Sequence, residues 1–344
     1  MTEDFEQRKK DHIRLALSEK QTQGLVDSGF AKIKLLHHAL PEINFNEVSL
    51  ETTLIGQAVA SPHFVSSMTA GHADSKKINL NLALASEQKN WLMGVGSQRR
   101  ELTDSLAVQE WQTIKKAAPN AKFISNIGIL ELIQNPVDSI LKLVENLDAK
   151  GVIVHINPLQ EIFQKNPYID LTQGFKAIET LVKKTKTPVV VKEVGFGINS
   201  EITQRLFELG VAAVDVAGSG GTHWGWIEAL RQDDDSIERM AIDAFSDWGQ
   251  TTVDCLLHAQ EKILFNPIWA SGGIRNGVDS AKCLALGARA IGLAQPLMKA
   301  ALESEETVLK VMDLFDFQLK VAMFCTGVRK CEDYLHKKVW QCQT

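Results

Sequence analysis

Short apolar runs rich in Val, Ile and Ala alternate along this chain with amphipathic stretches, the pattern of parallel strands buried on both faces and joined by crossover helices. Eight runs stand out: FVSSM (64–68), LMGVGS (92–97), KFISNIG (122–128), GVIVHIN (151–157), PVVVKEVG (188–195), AAVDVAG (212–218), PIWASGG (267–273) and ARAIGLA (288–294). Each is followed by a helix-like segment, and eight consecutive strand-helix units predict closure into an α/β fold of the (β/α)8 TIM barrel kind rather than an open sheet. After the sixth run, residues 219–243 break the rhythm and are read as a loop insertion, a candidate lid. About 60 residues precede the first run, including the helix-like RKKDHIRLALSE. No low-complexity linker or solenoid repeat divides the chain, so a single domain over 1–344 is expected, with 1–60 as an N-terminal extension.

Composition narrows the function. With 44% hydrophobic and 23% charged residues the chain is rich enough in apolar side chains to be globular throughout. A formal charge of -5 provides no general basic field, so nucleic acid is not an expected partner and any anion must be held locally. Cys255, Cys283, Cys325, Cys331 and Cys342 are odd in number and lack CxxC or Cys/His ligand spacing, which predicts reduced, packing thiols. The start MTEDFEQRKK has no apolar core of signal-peptide length and no run of about 18 apolar residues occurs, so a cytoplasmic protein without a membrane partner is expected.

In such a barrel the working side chains sit at the carboxyl ends of the strands. Met68-Thr69, Ser97, Asn126, His155 and Asn157, Lys192, Gly218-Ser219 and Gly272-Gly273 therefore converge on one mouth. The turns SGGIRNG and GLAQP after runs seven and eight suit a phosphate, because small residues let backbone N–H groups approach the anion, and Arg275 adds charge. Lys192 interrupts an apolar strand. It needs a counter-charge such as Glu193 or another barrel carboxylate, a place beside a flavin whose anionic reduced form it stabilises, or a Schiff-base role. HINPLQE (155–161) packs His, Asn, Gln and Glu into seven positions; Glu161 suits Mg2+, which takes few protein ligands, while the plainer reading is a turn with a helix-capping Gln or Glu. Arg8, Lys9, Lys10 and His12 form a cationic set that is either a diphosphate contact or a solvated helix face. GSQRR adds Arg99 and Arg100, whose forks match phosphate oxygens. Asp233, Asp234 and Asp235 read as a solvated charge run.

These residues carry a resemblance that runs over essentially the whole chain. RKKDH (8–12), SSMTAGH (66–72), GSQR (96–99), SNIG (125–128), HINPLQE, VVKEVGFGI (190–198), DVAGSGGTHW (215–224) and ASGGIRNG (270–277) resemble the type 2 isopentenyl diphosphate isomerases, FMN-dependent enzymes of isoprene biosynthesis. The resemblance implies FMN contacts from Met68, Thr69, Ala70, Ser97, Asn126, Lys192, Thr222, Gly272, Gly273, Ile274, Arg275, Ala294 and Gln295. It implies substrate contacts from Arg8, Lys9, Arg99, His155, Asn157 and Gln160, with Glu161 on Mg2+, and catalytic roles for Lys192, His155 and Gln160. Where the family usually reads MTGG this chain has Met68-Thr69-Ala70-Gly71, so residue 70 must keep a negative φ. The implied reaction isomerises isopentenyl diphosphate to dimethylallyl diphosphate by proton addition and removal. Reduced FMN supplies the proton chemistry, NADPH serves as flavin reductant, the Trp224/Trp226 loop is a lid, and the assembly is a homo-oligomer, a tetramer or octamer. A 2-hydroxy-acid oxidase, a nucleotide dehydrogenase and a non-catalytic binding barrel are the competing readings. No Cys occupies the strand-six loop and no His-x-x-x-x-Arg precedes strand seven, which weighs against the first two.

Overall fold

The computed structural model describes residues 11–12, 14–15, 27–68, 73–164, 169–262 and 266–343, with backbone alone at 73–74 and 261–262. Strand β1 (Ile33–Leu35) pairs antiparallel with β12 (Trp340–Cys342), which ties the segment before the barrel to the last strand. A hairpin of β2 (Thr52–Leu54) and β3 (Gln57–Val59) follows. Next come the eight predicted strands in order: β4 (His63–Val65), β5 (Leu92–Gly94), β6 (Lys122–Gly128), β7 (Gly151–His155), β8 (Val189–Lys192), β9 (Ala213–Asp215), β10 (Ile268–Ala270) and β11 (Ala290–Leu293). They close into one parallel barrel, with β11 hydrogen-bonded to β4. Most predicted runs are longer than the ladders they contain. The residues beyond each ladder, such as 193–195 and 271–273, leave the sheet and form the mouth.

Phe64, Leu92, Ile124, Ile153, Val190, Ala213, Trp269 and Ala290 pack into a cluster inside the barrel, and Leu54 and Val59 of the hairpin join it. The hairpin is thus a plug at the amino-terminal end, so this part of residues 1–60 belongs to the core. Outside, the Glu305–Cys325 helix packs on the Gly277–Ala285 helix so closely that a Cβ on Gly277 would lie 2.5 Å from the Phe315 carbonyl.

The region after β9 departs from the expected loop. It contains a helix at Trp224–Ala229, a second at Ile237–Ala241 and a 3-10 turn at Ile242–Phe245. Their apolar side chains, with Phe163 and Leu159 from the segment after β7, form a small core of their own. Helices of five or six residues are too short to register as periodicity in a sequence window. Asp233, Asp234 and Asp235 are exposed between them, as a solvated run should be. All five cysteines are unpaired, three of them buried. No helix among the described residues is long and apolar enough to cross a membrane.

Candidate active site

Strand register sets the centre of the mouth. His155 of β7 is level with Lys192 of β8, and Lys192 is level with Asp215 of β9, so three polar side chains end three neighbouring apolar strands. Lys192 is 5% exposed and its Nζ donates to the Glu193 carbonyl at 2.5 Å. Of the counter-charges open from sequence, the Glu193 carboxylate is not the one that Lys192 bonds. That carboxylate turns to its own loop, where Oε2 accepts the N–H groups of Val194, Gly195 and Phe196 at 2.6 Å each. Burial pushes the Glu193 carboxyl up to about 7, against those donors and the Lys192 charge, which hold it down. Asp215 is the barrel carboxylate that feels Lys192 most directly. It is fully buried, accepts the Ser271 hydroxyl on both oxygens at 2.9 Å, and has its pKa raised by burial while Lys192 and Ser271 oppose the rise.

On the other side of His155, Asn126 Nδ2 donates to the Val95 carbonyl at 3.1 Å, which orients its amide and leaves Oδ1 to accept from His155 Nδ1 at 2.9 Å. His155 therefore carries its proton on Nδ1. Beyond β7, Asn157 Nδ2 donates to Gln160 Oε1 at 3.0 Å and to Glu161 Oε1 at 2.8 Å. Gln160 Nε2 donates to Glu228 Oε1 at 3.1 Å. Glu228, wholly buried, also receives Arg231 at 2.7 Å and lies 3.0 Å from His12 Nε2. This polar chain runs from the strand tip to the insertion and back to the N-terminal segment, fixing Gln160 from behind. Among the described residues no three His, Cys, Asp or Glu side chains cluster as an all-protein metal cage. A cation at Glu161 would have to take other ligands from water and substrate.

The two arginines of GSQRR separate. Arg99 lines the mouth and gives one N–H to Glu131 at 3.2 Å. Arg100 turns instead to Asp104 at 2.8 Å and Glu110 at 3.4 Å, which satisfies it on the outer wall and corrects its expected place at the anion site.

Opposite, Gly272 and Gly273 have φ of 94° and 72°, left-handed values that cost an L residue strain. A Cβ on Gly272 would collide with the Gly218 carbonyl, and one on Gly273 would lie 2.6 Å from Ser28. Thr252 Oγ1 clamps the turn at the Ser271 and Gly272 carbonyls, 2.9 and 2.7 Å away. Successive backbone N–H groups in such a turn form a concave anion cradle. A buried lysine with a side-chain-free cradle is the donor set a phosphate-bearing flavin requires, so the residues present fit FMN.

The mouth holds one cavity of about 180 Å³. Met68, Ser97, Arg99, Asn126, His155, Asn157, Gln160, Glu161, Lys192, Thr222, Gly272, Gly273, Ile274, Arg275, Ala294 and Gln295 line it, as does His12. Arg8, Lys9, Thr69 and Ala70 lie outside the described residues. Trp224 lines the cavity and meets the His12 ring edge-on at 5.3 Å, whereas Trp226 packs into the insertion's own core; the lid reading holds only the first of the two tryptophans at the mouth. Asp215, Glu131 and Glu228 were not singled out from sequence. Asp215 carried the same signal as Lys192, a charge inside an apolar strand; Glu228 sits in WIEAL with nothing local to mark it as buried.

The model of the FMN-dependent dehydrogenase family matches residues 133–341. An isopentenyl-diphosphate delta-isomerase of Bdellovibrio bacteriovorus is 44% identical over 342 residues, 98% of each chain. One of Legionella pneumophila is 44% identical over 97% of each chain, and one of Oceanobacillus iheyensis is 38% identical over 97% of this chain and 95% of its own. In architecture the chain is similar to a flavocytochrome b2 variant (TM-score 0.69, 21% identity, 97% of this chain and 82% of that one). It is also similar to a mandelate oxidase variant (TM-score 0.65, 16% identity, 99% and 98%). At such identities the likeness is one of fold.

Proposed function

The chain belongs to the FMN-dependent isopentenyl-diphosphate delta-isomerases, and from that membership we propose how the mouth divides its work. The enzyme converts isopentenyl diphosphate to dimethylallyl diphosphate, a reaction that adds a proton at one end of the alkene and removes one from C2 without net redox change. Bound in its reduced form, FMN supplies an electron-rich ring able to exchange a proton beside the alkene. Gly272, Gly273 and Arg275 would hold its phosphate, Lys192 would offer its ring a positive charge, and Met68, Ser97, Asn126, Thr222, Ile274, Ala294 and Gln295 would complete the contact. Thr69 and Ala70 belong to the same set.

Arg99, Asn157, Gln160 and His155, with Arg8 and Lys9 from the N-terminal segment, hold the diphosphate end of the substrate. Glu161 would hold Mg2+, which would supply positive charge to the diphosphate. Such a clamp turns an encounter into a reactive geometry, which is the main contribution open to side chains too weakly acidic to protonate an alkene. Trp224, packed with Met68, Ile227 and Met298, gives the mouth an apolar wall that keeps water from a positively charged intermediate on the substrate. NADPH would serve as the reductant that brings bound FMN to its working state. The whole chain acts as one domain, in the cytoplasm, within a homo-oligomer; five unpaired thiols fit a reducing compartment.

The observation that supports this reading most is that Lys192, Asn126 and Glu161, separate in sequence, face one cavity. The test is to purify the protein, record its visible spectrum for bound flavin, reduce it with NADPH, and follow isopentenyl diphosphate with and without Mg2+. Dimethylallyl diphosphate formed only by the reduced, Mg2+-supplied enzyme is the expected result. Oxidised product, or substrate binding without turnover, would overturn it.

A further inference from the structure

The turn after β5 that carries Arg99 rests on a second, smaller void of about 10 Å³, lined by Gln98, Glu101, Trp111, Asn146 and three aliphatic side chains. That is room for one water. Glu101 is 9% exposed, and its Oε2 is buried without a hydrogen-bond partner in the protein. The surrounding charges do not neutralise it. Arg100, on the same turn, is committed to Asp104 and Glu110; Glu110 of the Ser105–Ala117 helix is itself negative; the Val137–Leu147 helix presents only Leu143, Asn146 and Leu147. An ionised carboxylate here would be a charge with one oxygen unsolvated, whereas a neutral acid can donate to a water shared with the Asn146 amide. Burial accordingly pushes the Glu101 carboxyl up to about 7, against its own backbone N–H, a Trp111 hydrogen bond and the Arg100 charge.

The void is wired to the mouth. Glu101 N–H donates to the Gln98 carbonyl at 3.1 Å, and Gln98 N–H donates to the Asn126 carbonyl at 2.8 Å. Gln98 Oε1 accepts the Ser125 hydroxyl at 2.5 Å and Asn126 N–H at 3.2 Å, and Asn126 in turn holds His155. Arg99 lies between the two residues so pinned.

We infer that Glu101 is a positioning residue for the diphosphate site: neutral, and bridged through one water in the void, it locks the Gln98–Glu101 turn and with it Arg99, and on ionisation it loosens both. This rests on the reading that Arg99 holds the diphosphate. A loosened charge-assisted contact is worth about tenfold in binding.

The test compares reduced, FMN-loaded wild type with Glu101→Gln, measuring KM for isopentenyl diphosphate and kcat between pH 6 and 9. Titrations of the substrate and flavin are common to both and cancel in the ratio. The wild-type KM, relative to the variant, should climb up to about tenfold as pH passes neutrality, while the kcat ratio stays level. Should Glu101→Gln not fold, Glu101→Met removes the titration at similar volume and must show the same relative step. Ratios flat across the range would overturn the inference. Arg99→Ala separates the two readings. A raised KM in that variant alongside flat Glu101→Gln ratios sinks Glu101 alone; an unaltered KM in Arg99→Ala removes the diphosphate reading of Arg99 and this inference with it.

Discussion

Lys192 and Asp215 each place a charge in an otherwise apolar strand, and burial makes both informative. A lone buried charge is costly, whereas two of opposite sign on adjacent strands moderate one another. The register brings Lys192 level with Asp215, while Glu193, adjacent in sequence, spends its carboxylate on three backbone N–H groups. Lys192→Met therefore removes the positive charge proposed to stand at the flavin ring and leaves Asp215 without its opposing cation. We expect a fall of about 100-fold in kcat and a more negative flavin reduction potential, read from turnover of the reduced enzyme and from redox titration. A potential equal to that of wild type would remove Lys192 from the ring.

The insertion after β9 shows how one side chain holds an element. His223 caps the Trp224–Ala229 helix: Nδ1 accepts Trp226 N–H at 2.9 Å, and Nε2–H donates to the Phe245 carbonyl at 2.9 Å. That arrangement requires the neutral ring, and burial lowers the His223 pKa below its ordinary 6.5. The sign follows from linkage. Below pH 6.5 the unfolded segment takes up a proton that the folded ring resists, so the stability contributed by the neutral cap is complete above 6.5 and is lost as pH falls beneath it. Exchange of the Trp226 amide, corrected for intrinsic rates, should speed up as pH drops below 6.5. His223→Asn, which keeps a capping acceptor, should abolish that dependence, and His223→Ala should cost about 1 kcal/mol at neutral pH. A cap insensitive to pH in the wild type would contradict this account.

At the scale of the whole molecule, the hairpin closes the amino end of the barrel with Leu54 and Val59, and polar chemistry gathers at the other end. The division has a stability cost that is itself testable. Folded, Glu101 keeps its proton to about pH 7; unfolded, it lets go near 4.5, so between those values the native state binds the extra proton and loses stability as pH rises. Glu101→Gln lacks that penalty. Its Tm should match wild type near pH 4.5 and exceed it increasingly toward pH 8, by a margin on the order of 3 kcal/mol in unfolding free energy. A constant Tm difference would show that Glu101 is ionised throughout. Measured with chemical denaturation, the same comparison is independent of flavin and substrate.

Local pattern was enough for the eight strands, their order and several polar or small residues at or just beyond their tips, such as Asn126, His155 and Lys192, because burial on both faces leaves a nearly continuous apolar run and the chemistry must follow where it stops. It was enough also for the Gly272-Gly273 turn, since a backbone demand is written at the residue that meets it. Tertiary structure alone decided which partner each polar group takes: Arg99 to the mouth and Arg100 to the outer wall, Lys192 to the Glu193 carbonyl with its charge felt by Asp215 on the next strand, Glu228 under Gln160, and Glu101 beside its void. Neighbours in sequence diverge on a turn while residues far apart meet across the barrel, so the dielectric and the donors around a side chain are fixed by packing, which local periodicity does not encode.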